Sequence, residues 1–294
     1  MSLNKRFLLL LSLPLALLGV SSAAQASSFP AQTKANQVKH PFKVAVVKKG
    51  YHLYHGQWLK GSTSTKHFHQ SFIVTQKKQL NHRWYYALMS TKKHIKMGYI
   101  NRNAVATPNQ TKLLKVPYIS QYKPVFAPWG CAATSMAMLL RSRGVKVNLK
   151  DAQNHLPMVP TVGGQKGNLY TGAGFGHVIH PGALTTYAHR WSKKVHNISG
   201  STANQMKLYV QGGQPVLFYG YSSYQKAGDH HRNHCKVITG YKNGKFRVND
   251  PLYYSKNAGA GAGGKNMAYD HGAISWESLA NLKKEYNKDA LTIE

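Results

Sequence analysis

Not one Asp or Glu precedes Asp151, and the chain of 294 residues holds only eight. They are Asp151, Asp229, Asp250, Asp270, Glu277, Glu285, Asp289 and Glu294, so any chemistry that needs a carboxylate must draw on this short set. Cysteine is scarcer still. Cys131 and Cys235 are the only two, which excludes a multi-bridge disulfide scaffold and leaves at most one bridge. After Val20 no apolar run has the length of a membrane span. No repeat of solenoid period is present.

Positive charge is abundant. Lys and Arg number 39, His 16, and the formal net charge is +31. Residues 27–150 carry 21 Lys and Arg with no acid among them. At the start, Lys5 and Arg6 precede a nearly continuous apolar run from Phe7 to Val20, and Ala24-Gln25-Ala26 has a small-x-small pattern. This predicts a secretory signal peptide over residues 1–26. Pro14 and the shortness of the run argue against an uncleaved anchor. Losing Lys5 and Arg6 takes the net charge to +29. Such a field implies a polyanionic surrounding. With export expected, the anionic partner is a wall polymer (teichoic or lipoteichoic acid) or a lipid headgroup rather than nucleic acid. The expected location is therefore secreted and cell-surface or cell-wall associated. A soluble cationic protein with no dedicated anionic partner is the plainer alternative.

Residues 27–39 are polar and unpatterned and read as a linker. Residues 40–108 contain short β-prone runs at 43–47, 71–75, 83–88 and 97–100, punctuated by Gly50, Gly56, Gly61 and Asn81. Residues 109–294 mix helix and strand, an α+β pattern. Helices are expected over 131–143, 181–191 and 275–286. Thr202 and Gln205 form a capping box that opens another helix, ended by Gly212-Gly213. Strands are expected over 214–221, 234–241 and 245–249. The glycine-rich stretch at 257–265 reads as a mobile loop.

Cys131 follows the turn Pro128-Trp129-Gly130 and opens an apolar helical stripe. A thiol there meets the positive end of the helix dipole and unpaired backbone N–H groups, both of which favour thiolate. A nucleophile needs a base, and His234 starts an alternating run, His234-Cys235-Lys236-Val237-Ile238-Thr239-Gly240-Tyr241. A turn and a second strand follow, ending at Asp250. Register decides whether His234 and Asp250 meet. A regular two-residue turn at Asn243-Gly244 pairs Val237 with Asp250 and sets His234 on the opposite face. A three-residue loop at Lys242-Asn243-Gly244, or a bulge of equal effect, pairs Lys236 with Asp250 instead. His234 and Asp250 are then diagonal neighbours on one face. The same alternation expects Cys235 to turn away from Cys131 and to act as a small buried hydrophobe. The plainer role for Asp250, before Pro251, is to cap a turn. Gln121, ten residues before the cysteine in an extended segment, is the candidate oxyanion donor beside the Cys131 N–H. His177, His180 and Asp229-His230-His231 read as surface or loop residues. That last cluster lacks metal-ligand spacing, and no metal or cofactor is expected.

Two resemblances follow from these residues. The aromatic hairpin Trp84-Tyr85-Tyr86 and the closing Met97-Gly98-Tyr99-Ile100-Asn101 resemble bacterial SH3-like (GW-type) wall-binding modules, with Tyr99 where many of them have Trp. Residues 111–294 resemble the papain-like cysteine peptidases related to the double-glycine leader peptidases of bacteriocin exporters, in particular their secreted stand-alone relatives. The motifs are Val116-Pro117-Tyr118-Ile119-Ser120-Gln121, Gly130-Cys131-Ala132-Ala133-Thr134-Ser135, Gly213-Gln214-Pro215-Val216, the His234 run, and Val248-Asn249-Asp250-Pro251-Leu252. The resemblance implies Cys131 as nucleophile, His234 as general base then acid, Asp250 as its orienter and Gln121 as oxyanion donor. Ala132 stands where relatives often have Glu, and Cys235 and Lys236 replace small or apolar residues. The expected architecture is a papain-like α+β domain preceded by a small all-β SH3-like barrel. The expected activity is cleavage of peptide amide bonds, with peptidoglycan peptides or surface polypeptides as substrate. A non-catalytic wall-binding or adhesion protein on the same scaffold is the rival from another class.

Overall fold

Alternating burial along short strands builds the first half of the chain. The computed structural model describes residues 35–56, 59–225, 229, 231, 233–264, 266 and 268–294. The expected signal peptide lies outside the described residues. Strands β1 (Asn36–Val46), β2 (His52–His55), β3 (Leu59–Thr63), β4 (Ser71–Leu80), β5 (Arg83–Ser90), β6 (Lys96–Asn101) and β7 (Val105–Ala106) form one antiparallel sheet in the order β3-β2-β6-β5-β4-β1-β7. Asn81 and His82 take positive φ and close the β4–β5 hairpin. Val44, Val46, Leu53, Phe72, Val74, Leu88 and Ile100 bury together as its core. β1 begins at Asn36, inside the stretch read as linker.

Beyond it come β8 (Lys112–Leu113), α1 (Cys131–Arg141), α2 (Leu149–Asn154), α3 (Pro181–Ala188), β9 (Val195–Asn197), α4 (Ala203–Gly212), β10 (Val216–Gly220), β11 (His234–Lys242), β12 (Lys245–Asn249), β13 (Ile274–Ser278), α5 (Leu279–Glu285) and β14 (Ala290–Ile293). The second sheet runs β13-β12-β11-β10-β14-β9, with β8 added beside β11. Both of its faces are covered. Leu217, Cys235, Val237 and Leu291 pack with Met136, Leu139 and Leu140 of α1 and Leu184 of α3. Val216, Phe218, Ile238 and Val248 pack on the other side with Met206 and Val210 of α4 and Leu282 of α5. The central helix α1 is buried on every side from Cys131 to Leu140, which is why its sequence is apolar or small throughout.

Local chemistry sets the helix ends. Thr202 and Gln205 make the reciprocal capping box, and Gly213 ends α4 with φ 99°. The helix expected over 275–286 splits into strand and helix. Ile274–Ser278 pairs with β12, and Ser278 then caps α5 through its side chain. α2 escapes periodicity because it is only six residues long, though Asn148 caps it. Of the glycines expected to be mobile, Gly259 and Gly261 are exposed, whereas Gly263 and Gly264 are packed. Gly263 N donates to Asp270 Oδ2, Gly264 N donates to Ser223 Oγ, and a Cβ on Gly264 would lie 2.3 Å from the Ser223 carbonyl.

The two sheets meet within one compact unit, Thr33–Glu294. Gln211 Nε2 donates to the carbonyls of Thr107 and Gln110 at 3.1 and 3.0 Å. Gly212 backs onto Val47, whose carbonyl oxygen would sit 2.3 Å from an added Cβ. Lys49 Nζ pairs with Glu294 Oε1 at 2.6 Å.

Candidate active site

Cys131 is the first residue of α1, with Gly130 as its N-cap. A Cβ at 130 would press on the Ala127 carbonyl at 3.0 Å and on Gln153 at 3.1 Å, so glycine fits the turn into the helix without displacing them. The loop before it is pinned on both sides. Trp129 N donates to Leu169 O at 3.0 Å, and Gln165 Nε2 donates to Trp129 O at 3.0 Å. The Cys131 backbone N–H, first in the helix, has no acceptor within the helix and points out of its end. Cys131 Sγ lies 3.9 Å from the Asn233 carbonyl, one residue before His234.

The β11–β12 hairpin reaches the required register by a bulge, not by a longer loop. Asn243 and Gly244 form a two-residue turn with φ 50° and 78°, pairing Lys242 with Lys245. The three-residue loop is therefore absent, and the bulge of equal effect stands in its place. Between Ile238 and Gly240 the register slips, and Val237 pairs with Asn249. One step further on, Lys236 comes opposite Asp250. β8 accounts for the bulge: Leu114 N donates to Thr239 O at 2.9 Å, and Gly240 leaves room for Leu113, which would be 2.7 Å from a Cβ there. His234 Nε2 donates to Asp250 Oδ1 at 2.6 Å, with both side chains buried. Asp250 Oδ1 also accepts from Leu252 N at 2.9 Å, so Asp250 caps its turn and holds the histidine at once. Nδ1 is the ring nitrogen left for the thiol.

Lys236, on the same face, is 1% exposed. Its Nζ sits 2.8 Å from Glu285 Oε2 and 3.6 Å from Asp250 Oδ2. Burial pushes the Asp250 carboxyl up, but His234 and Lys236 outweigh it and hold the group below its ordinary value. Burial alone would lower His234. The Asp250 charge and hydrogen bond, with Cys131 behind them, instead raise it to about 9.

Cys235 is free and buried, as expected of a small hydrophobe, but it is not turned away from Cys131. His234 and Cys235 do face opposite sides of the sheet. However, α1 packs on the Cys235 side, and His234 reaches the thiol from the end of the strand. The neighbouring Cys235 is the largest influence holding Cys131 well below the ordinary thiol range; burial opposes it, and His234 adds to it. Cys235 itself is pushed up, by burial first. Both cysteines are free. The α1 packing pattern, had it been read against β11, was the available signal.

Gln121 is fully buried and is held by the segments on either side of the site. Its backbone N–H donates to Pro251 O at 2.9 Å, and its Nε2 donates to the Pro128 carbonyl. Cys131 and His234 open into a cleft of about 490 Å³ whose walls include Tyr122, Phe126, Trp129, Phe175 and Tyr254. Tyr122 stacks on Tyr254 with centroids 4.5 Å apart. This aromatic wall comes from loops far apart in sequence and was not anticipated. Asp229 stands at the cleft edge, 2.7 Å from His231 Nδ1. His230 lies outside the described residues. The rings of His177 and His180 lie with centroids 5.2 Å apart.

Residues 113–284 match the model of the Peptidase_C39 like family. The chain belongs to that family. Membership supports a cysteine peptidase with a papain-like fold of mixed helix and strand, in agreement with the resemblance read from the motifs. Among solved structures, a protein described as a C39-like peptidase from Bacillus anthracis is 21% identical. The match covers 63% of this chain and 98% of that one, with a TM-score of 0.48. A double glycine motif protease from an AMS/PCAT transporter, solved with its leader peptide, is 14% identical over 62% and 95%, with a TM-score of 0.38. Xylellain, a cysteine protease from Xylella fastidiosa, is 10% identical over 63% and 86%, with a TM-score of 0.33. The family match, not these loose likenesses, carries the argument. No curated protein matches. Among the described residues no helix is long and apolar enough to cross a membrane.

Proposed function

We propose that this C39-like protein is a secreted, wall-associated cysteine peptidase using Cys131, His234 and Asp250. The observation that carries the reading is the buried 2.6 Å His234–Asp250 pair at the mouth of α1, beside a thiol held toward thiolate. The Cys131 sulfur attacks the carbonyl carbon of a peptide bond. The developing oxyanion meets the Cys131 N–H, with the Gln121 amide as second donor through the Nε2 hydrogen not given to the Pro128 carbonyl. His234, protonated at Nδ1, gives that proton to the leaving nitrogen as the C–N bond breaks, leaving a thioester on Cys131. Neutral His234 then takes a proton from water as its oxygen attacks the thioester. Cys131 departs as thiolate, and His234 is again protonated. Asp250 stays ionised throughout, fixing the ring by its Nε2 bond.

The substrate proposed is a peptidoglycan cross-bridge or stem peptide, or another surface polypeptide, laid along the aromatic cleft. Residues 40–108 serve as the SH3-like module that holds the enzyme on teichoic or lipoteichoic acid. Domain limits at 26, 39 and 108 belong to the same proposal, as does export through residues 1–26. Support for wall attachment is the charge of +29 left after the signal peptide and the acid-free first half. Digestion of purified cell wall by the wild type and by Cys131→Ala, with released fragments read by mass spectrometry, tests the proposal. Amide-cleaved fragments from the wild type alone are expected. Identical fragment sets from both proteins, or none from either, would overturn it.

A further inference from the structure

On the α5 side of the second sheet, away from the cleft, His271, Glu277 and Glu285 converge from three elements. His271 lies in the segment before β13, Glu277 in β13, and Glu285 closes α5. One ligand atom of each lies within 4.8 Å of the others. Glu277 is 2% exposed. Its Oε1 accepts from Ser275 Oγ at 3.2 Å, and its Oε2 is buried with no hydrogen-bond partner. His271 Nε2 stands 3.6 Å from Glu285 Oε1, too long for a hydrogen bond. Its side chain is 23% exposed, so the group opens to solvent on that side.

Pairing elsewhere leaves this oxygen aside. Asp250 is answered by His234 and Lys236, and Glu285 by Lys236 through Oε2. No salt bridge reaches the Glu277 carboxylate among the described residues, although Lys236 and His271 stand near it. A buried carboxylate oxygen without a partner costs free energy that a cation would recover.

We propose that His271, Glu277 and Glu285 bind one divalent transition-metal ion of the zinc class. One imidazole and two carboxylates form a mixed nitrogen–oxygen set that suits zinc better than magnesium or calcium, which take oxygen alone. Bonds of about 2.0–2.2 Å bring tetrahedral ligand atoms to roughly 3.4 Å apart, so the group must close by up to about 1.4 Å, with water as the fourth ligand. Lys236, on Oε2 of Glu285, orients that carboxylate, and Oε1 faces His271. The ion would therefore sit one side chain from Asp250, since Lys236 touches both carboxylates.

The test must exclude Cys131 and His234, themselves a zinc-binding pair. The EDTA-treated Cys131→Ala chain is titrated with Zn²⁺ by calorimetry, and the double variant Cys131→Ala/Glu277→Gln is titrated alongside. One equivalent bound by the first, and affinity lower by at least about tenfold in the second, is expected. Should Glu277→Gln fail to fold by circular dichroism, His271→Asn, at a partly exposed side chain, must give the same loss. Equal Zn²⁺ binding with and without these changes would assign the metal to surface histidines and overturn the proposal, as would no binding to Cys131→Ala.

Discussion

His234→Ala is expected to lower kcat by about 10³–10⁴-fold on any peptide the enzyme cleaves, because it removes both the proton donor and the cation beside the thiolate. Asp250→Asn should be far milder in rate, since an asparagine oxygen can still accept the Nε2 bond. Its signature is in pH. His234 is held at about 9, so imidazolium and thiolate coexist up to that value and activity should fall as pH rises through it. Without the Asp250 charge, that basic limb should move toward the ordinary histidine range. The linked stability has the same sign: it is fully present below about 6.5 and is lost as pH rises through about 9. A pH–rate profile unchanged by Asp250→Asn would remove Asp250 from the mechanism.

Lys236→Met should give the largest loss of stability. The ammonium is fully buried between Glu285 and Asp250, and its removal strands a buried carboxylate. Breaking one partner of such a pair costs about 3–5 kcal/mol, or roughly 6–20 °C in Tm for a unit of this size. Replacing both partners should be much gentler, because two apolar side chains leave no stranded charge. Thermal unfolding of Lys236→Met and of Lys236→Met/Glu285→Leu checks this. A single variant as stable as the wild type would contradict it, as would a double variant less stable than the single.

Local signals were legible where chain-neighbour chemistry decides structure. Thr202 with Gln205 marked α4, the Gly130-Cys131 turn marked α1, and the His234 run marked β11, each close to its observed limits. Features that depend on distant segments were not. The register that joins His234 to Asp250 rests on a bulge at Thr239, stabilised by β8 from more than a hundred residues upstream. The only trace of it in the sequence is Gly240 inside a strand. Cys235 was placed by strand alternation alone, and alternation does not say which face α1 will cover. Ser275 to Tyr286 reads as one helix because its apolar spacing suits one, yet pairing with β12 claims its first residues. Lys236 stood out as an oddity in the motif. Its partner Glu285, 49 residues on, was beyond reach without the fold.

The central claim is that Cys131 is a thiolate paired with His234 at neutral pH and below. Alkylation by iodoacetamide across pH 4–9, with each cysteine read by peptide mass spectrometry, tests it most directly. Cys131 is predicted to react readily below pH 7, with a rate nearly flat toward neutrality, while Cys235 stays unlabelled in the folded protein. A Cys131 rate that climbs about tenfold per pH unit up to 8 or beyond, as for an ordinary thiol, would contradict the account, as would equal labelling of Cys235.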